Sequence, residues 1–349
     1  MIMETTGRLL RTLDAAQVAA RRSKERAGPR ARGRSPAPLA VPVKALAPAL
    51  EEGMDVQEAF AVIGRNCLMQ MRANQTGALA ARDPEFLHQY RVGLRRLRSA
   101  FGLFRPVLPT LGAGALVREM RWLGTRLGPA RDWDVFCVEI LAPLSERAGH
   151  DPGFAALYRR CARDRVSCAA KVREAVASPR YAKFIIQLER FLSTTERVAD
   201  APQLKAFGAA RLQKRDNNLR KIARTLDVSD PAQVHRMRVV AKKLRYASEF
   251  LQSLFPQKAV RDYARSLARL QDALGELNDC ATGLRLLDSL PPHRSKADAD
   301  VRGLVRKWLA ARKERNLGVL AGHWDTLRRQ KRYWKSALPR VRAAADAPE

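Results

Sequence analysis

The chain is short of acidic residues. Against 65 lysines and arginines it has 35 aspartates and glutamates, a formal charge of +30 at pH 7 over 349 residues. An excess of that size implies a polyanionic partner or an acidic surface. Aromatic residues make up 6% of the chain and none belongs to the basic rows described below, which argues against a base-stacking track. No uninterrupted apolar run approaches the ~18 residues of a membrane span. The N-terminus lacks the order of a signal peptide, and no membrane partner is expected. The five cysteines, Cys67, Cys137, Cys161, Cys168 and Cys280, form no CxxC and none sits beside a histidine at metal spacing. They read as reduced packing residues in a cytoplasmic protein. No glycine cluster makes a P-loop, so that route to nucleotide hydrolysis has no cradle. No stretch alternates like a strand.

What the chain does have is one basic stretch, twice. His88-Gln-Tyr-Arg91-Val-Gly-Leu-Arg95-Arg96-Leu97-Arg98 is matched by His235-Arg-Met-Arg238-Val-Val-Ala-Lys242-Lys243-Leu244-Arg245, 147 positions later (235 − 88). Apolar residues at Leu87, Tyr90, Leu94, Leu97 and Phe101 recur at helical spacing, so both stretches read as amphipathic helices. At 100° per residue His88, Arg91, Arg95 and Arg98 fall within about 80° of one another. His235, Arg238, Lys242 and Arg245 make the same row. Neither row contains an acid, and like charges at these spacings repel; a polyanion would relieve them. Asp83-Pro84 and Asp230-Pro231 place a capping Asp before a Pro at the first helical position of each.

The same offset pairs Pro109 with Pro256, Leu127-Gly128 with Leu274-Gly275, and Asp132 with Asp279. Read locally, each Leu-Gly ends a helix and each Asp caps the next. Helices are expected at about 55–82, 84–105, 110–128, 132–147, 152–177 and 179–196, then 203–226, 231–254, 258–276, 278–290, 296–321 and 323–336. The fold class is all-α, with two tandem four-helix-bundle repeats, about 53–199 and 200–338, in a helical domain spanning 53–338. Residues 1–52, rich in Pro, Ala and Arg, read as a flexible basic tail carrying a short basic helix at 7–24, and 339–349 as a disordered end. Deleting residues 1–50 is expected to leave the fold intact.

The HxxRVxxRRLR helix, its HxxRVxxKKLRY partner and the paired LGxxxD turns resemble the CHAD family, helical domains named for conserved histidines. The resemblance covers about residues 55–337. It implies two bundles related by a pseudo-two-fold axis, with a basic cavity between them that binds inorganic polyphosphate. The positions matching the family's basic motif are His88, Arg91, Arg95, Arg96, Arg98, His235, Arg238, Lys242, Lys243 and Arg245. Many members carry a triphosphate-tunnel (CYTH) catalytic domain ahead of the helices. Here the first fifty residues are too few for that barrel and hold no ExExK.

The expected function is therefore non-catalytic polyphosphate binding, with no cofactor and no metal. Arg118, Arg121 and Arg265, on neighbouring helices, are further candidates for the same cavity. Lys214, Arg215, Arg220, Lys221 and Arg224 read as a solvated face, and the tryptophans as packing residues. Asp132-x-Asp134 could hold Mg²⁺, but a cap with a dipole-favourable Asp is the better reading. Asp272, Glu276 and Asp279 read as surface and capping groups. A basic nucleic-acid-binding protein is the alternative, and incidental nucleic-acid affinity is expected. A phosphate-cleaving enzyme using His88 or His235 ranks last, since no nearby carboxylate orients either ring. Polyphosphate granules within the cytoplasm are the location such a ligand implies. The histidines predict affinity rising as pH falls through about 6.5.

Overall fold

The computed structural model describes residues 41–108, 110–149, 151–193, 202–291 and 295–338. All regular structure among them is helical. In chain order the helices are α1 Val56–Ala80, α2 Pro84–Phe104, α3 Thr110–Val135, a π-helical stretch Phe136–Leu141, α4 Ala142–Arg147, α5 Pro152–Ala177, α6 Pro179–Ser193, α7 Leu204–Arg224, α8 Pro231–Leu251, α9 Gln257–Ser289 and α10 Lys296–Arg329. The expected helix at 7–24 and the chain ends at 1–40 and 339–349 lie outside the described residues.

The starts of the basic helices follow from their caps. Asp83 accepts from the Glu85 N–H and Asp230 from the Ala232 N–H, each at 2.8 Å, with Pro next in line. The limits of α2 and α8, and of the 3₁₀ turns Arg105–Val107 and Gln252–Leu254 behind them, recur at the 147-residue offset. The two helices also touch each other directly.

The Leu-Gly turns are a correction. Neither Gly128 nor Gly275 ends a helix. α3 runs through Gly128 and Pro129, α9 runs unbroken through Gly275, and Asp132 and Asp279 lie inside helices instead of capping them. Leu123, Leu127, Ala130 and Trp133 are buried along one face of α3, as are Leu270, Leu274 and Leu277 along α9. Burial of that stripe outweighs a helical Pro, which costs about 3 kcal/mol. The irregularity comes later and is milder: one π turn, in which the Ala142 N–H bonds to the Cys137 carbonyl. Likewise α10 crosses the break expected at 321–323.

The packed structure also begins earlier than the expected boundary at 53. Asn74 clasps Val43 through both backbone groups (2.9 and 2.8 Å), and Ser253 does the same for Leu50 (3.1 and 2.9 Å). Leu50 is buried. Residues 43–50 therefore form a strap tied to α1 and to the turn after α8.

Buried apolar side chains form two clusters. The larger draws on α1–α3, α5–α10 and the Tyr333-Trp334 corner, so it crosses between the sequence halves; the Phe104 and Phe207 rings pack within it at 5.3 Å. The smaller joins the end of α3, the π stretch and α4 with α5, the far end of α9 and the start of α10. Trp133 and Trp334 are buried, and Trp122, Trp308 and Trp324 pack against these clusters. The cysteines are unpaired and, Cys168 apart, buried.

Candidate functional site: a cavity between the basic helices

Packing α2 against α8 brings most of the two basic rows into one place. A cavity of about 660 Å³ is lined by His88, Arg95 and Arg96 from α2 and by Arg238, Lys242 and Arg245 from α8. Arg91 lies beside these groups toward α3, where it and Arg131 act on His88. Two glycines lie at close contacts around the cavity. Gly93 packs on α1, where a Cβ would fall 2.8 Å from the Met71 side chain and 3.1 Å from the Cys67 carbonyl. A Cβ at Gly128 would stand 3.5 Å from the Arg91 guanidinium. Gly128 therefore lies against the Arg91 guanidinium inside α3 and does not terminate a helix.

The cations here are crowded and poorly compensated. Nε and Nη1 of Arg91, Nε of Arg238 and Nδ1 of His88 are buried without a hydrogen-bond partner. Lys242 makes no direct hydrogen bond or ion pair with another described residue, and Arg95 reaches only the Tyr246 hydroxyl, at 3.4 Å. Burial holds the Lys242 ammonium down to about 6, helped by Arg238 and Arg95. Burial also lowers Arg91 to about 10, with Arg95 adding to it. His88 is pushed to about 3, first by burial and then by Arg131, Arg95, Arg91 and Lys242.

The two histidines are not equivalent. His235 is exposed, and its Nδ1 lies 3.0 Å from the Asn278 Oδ1. At the offset of 147, Asn278 corresponds to Arg131, one of the groups opposing charge on His88.

The rest of the expected set divides. Arg96 lines the cavity but is committed to the fold. Its guanidinium is buried, donates to Gln70, Asn66 and the Leu46 carbonyl at 2.8–3.1 Å, and lies over the Phe250 ring. Arg98 and Lys243 are exposed, with Arg121 and Arg215 as their charged neighbours. They do not line the cavity. Arg118 is exposed on α3, and Arg265 is exposed on α9, 3.7 Å from Asp262.

The α7 stretch is not the simple solvated face expected. Arg215 donates to the carbonyls of Lys243 and Ser99 (2.5 and 3.3 Å). Arg220 and Arg332 both pair with buried Asp216, at 2.7 and 2.8 Å. Lys214, Lys221 and Arg224 are exposed.

Sequence reasoning missed several lining groups. Lys44 of the strap is one, with Tyr246 and Gly275. The acids are the larger omission: Asp272, Glu276 and Asp279 from α9 and Glu249 from α8. The pairing of Asp132 with Asp279 was visible, but capping explained it locally. Lys44 sits in a Pro/Ala-rich segment that gives no sign of order. Asp134, the second half of Asp132-x-Asp134, is buried and paired with Arg165 at 2.5 Å, so that motif is not a free oxygen pair.

The CHAD domain family model matches residues 62–288. The chain belongs to the CHAD domain family. The crystal structure of the CHAD domain from the plant Ricinus communis superposes with a TM-score of 0.74 at 33% identity, covering 83% of this chain and 98% of that one. PptA from Streptomyces chartreusis, 16% identical, matches with a TM-score of 0.60 over 78% of this chain and all of its own, which shows a shared fold. No curated protein sequence matches the chain. Among the described residues no helix is long and apolar enough to cross a membrane.

Proposed function

We propose that this CHAD domain is a binding module for inorganic polyphosphate, held in the cavity between α2 and α8, and that it does not cleave its ligand. The observation that carries the reading is the set of largely buried cations whose inner N–H groups lack partners. Buried N–H groups are normally hydrogen-bonded, and leaving charged ones unmet costs several kcal/mol. Arg91 and Arg238 carry buried N–H groups that meet that cost, and half-buried Lys242 stands among them with no carboxylate in direct contact. An anion with closely spaced charges supplies what they lack, with Arg as fork and Lys as point donor. The polyphosphate ligand implied by the family resemblance has that character. Any association with polyphosphate granules would follow from this binding.

The test is neutralisation. Arg95→Gln with Lys242→Gln should remove most polyphosphate affinity and lower the log–log salt slope by roughly 0.7–0.9 per lost contact, by the nucleic-acid calibration. Lys214→Gln with Lys221→Gln makes the same change in net charge on exposed α7 positions and should cost little. Equal losses would mean a diffuse polycation without a site. Phosphate release from polyphosphate with divalent metals would refute the non-catalytic part.

A further inference from the structure

Resting on that reading, we infer that Asp272 and Asp279 of α9 are specificity determinants, excluding nucleic-acid strands from the cavity while admitting a bare chain of phosphates. The cavity's lining is of two kinds. α2 and α8 present His88, Arg95, Arg238 and Lys242, with one acid, Glu249, on α8, and α9 presents carboxylates at i, i+4 and i+7. Two of the four lining acids are already neutralised: Glu249 pairs with Arg245 at 2.7 Å, and Glu276 pairs with Arg312. Asp272 and Asp279 have no ion-pair partner among the described residues. Asp279 accepts only from the Asn278 side chain, at 3.2 Å. Unpaired carboxylates thus share a cavity with unpaired cations, and direct ion pairs between them are absent.

For a polyanion in general, such an acidic lining is a defect, because it repels what the basic lining attracts. Its effect depends on ligand width. Polyphosphate links its phosphates through single oxygens, so it is narrow enough to lie along the basic groups and leave the acids hydrated. A nucleic-acid strand spaces its charges by sugars, roughly one per 3.4 Å of rise. Its sugars and bases must take up the remaining width, against Asp272 and Asp279. Covering a carboxylate without supplying a cation is costly. A chain with 65 basic residues needs such a device if its site is to discriminate between polyanions.

The experiment uses the full chain with Asp279→Asn, and with Asp272→Asn added. Asp288→Asn is the charge-matched control, on the same helix but paired with Arg306 away from the cavity. Affinities for long-chain polyphosphate and for single-stranded RNA are measured at one ionic strength, with and without Mg²⁺. RNA affinity should rise roughly tenfold in the cavity variants while polyphosphate affinity rises far less. The control should shift both ligands slightly and equally. Equal gains for both ligands in the cavity variants would overturn the inference. So would a loss of polyphosphate affinity in Asp279→Asn: a loss seen only with Mg²⁺ would make the carboxylate a cation bridge, and a loss without it would make Asp279 a support for Arg238. A wild-type chain with no polyphosphate affinity overturns the function proposed above. Wild-type affinity with an unchanged RNA-to-polyphosphate ratio in the variants overturns only the selectivity role.

Discussion

Lys242 sets the pH range over which the cavity responds to an anion. Free, its ammonium is held down to about 6 from an ordinary 10.5 by burial and by Arg238 and Arg95, with Asp279 pulling the other way. A phosphate bound beside it favours the charged form, so binding between those values takes up a proton. Polyphosphate affinity should therefore fall as pH rises from about 6 to about 9. Calorimetry in buffers of different ionisation enthalpy should show proton uptake near pH 8, and Lys242→Gln should lose it; no uptake in the wild type would place Lys242 outside the ligand's field. Free His88, held to about 3, is neutral near 6.5, so any histidine contribution there requires the bound anion to raise it from that value. Both folded values lie below the unfolded ones, so the unfolded chain holds more protons. Stability without ligand should therefore decline as pH falls from 10.5 toward 6 through Lys242, and from 6.5 toward 3 through His88. The types and row of these residues were legible from spacing. Their burial was not, because it depends on α3, α8 and α9 closing over α2.

Among the elements, α9 and the strap behave least as local reasoning expects. Gly275 lines the cavity in mid-helix, and a Cβ there would meet nothing within 4 Å. Gly275→Leu should therefore fill the cavity without a clash. It should abolish polyphosphate binding while raising helix stability by up to about 1 kcal/mol, since Gly is a poor helix former; a thermal melt beside a binding isotherm checks both. The strap distinguishes two truncations. Removing residues 1–40 should leave stability unchanged, whereas removing 1–50 also takes away buried Leu50 and the Asn74 and Ser253 clasps. That loss should amount to roughly 2–4 kcal/mol, read as a lower denaturant midpoint. If both truncations melt alike, the strap contributes nothing. Local signals favoured a helix end at Leu-Gly and disorder in a Pro/Ala-rich stretch. Burial stripes and long-range hydrogen bonds overrode them, and neither is visible within a short window.

For the whole molecule, the sequence repeat is not a division of the core. The larger apolar cluster takes side chains from both halves, and the Tyr333-Trp334 corner closes on α7 and α9: the Trp334 indole donates to Gln213 at 3.0 Å and the Tyr263 ring lies 5.0 Å from it. Residues 41–201 and 202–338 expressed separately should each expose this surface and fail to fold cooperatively. Co-expression should restore a folded complex. A half that melts cooperatively alone would show the repeats to be autonomous. Asp216 is the polar counterpart, bound by Arg220, Arg332 and the Tyr263 hydroxyl. Asp216→Ala should cost about 3–5 kcal/mol by leaving buried cations unmatched, measured by denaturant unfolding.

The sequence alone settled the helical class, the paired basic helices with their Asp-Pro starts, and the family, because caps, periodicity and a repeated motif are written in contiguous residues. It also marked Asp132 and Asp279 as a matched pair without revealing what they face. Only the tertiary structure decided which basic residues share a cavity, that Arg96 is spent on the fold, that Arg98 and Lys243 do not line the cavity, and that acids line it too. Those outcomes depend on distances between helices far apart in the chain, and on burial that changes the cost of each charge. Neither is recorded in residue spacing along a single helix.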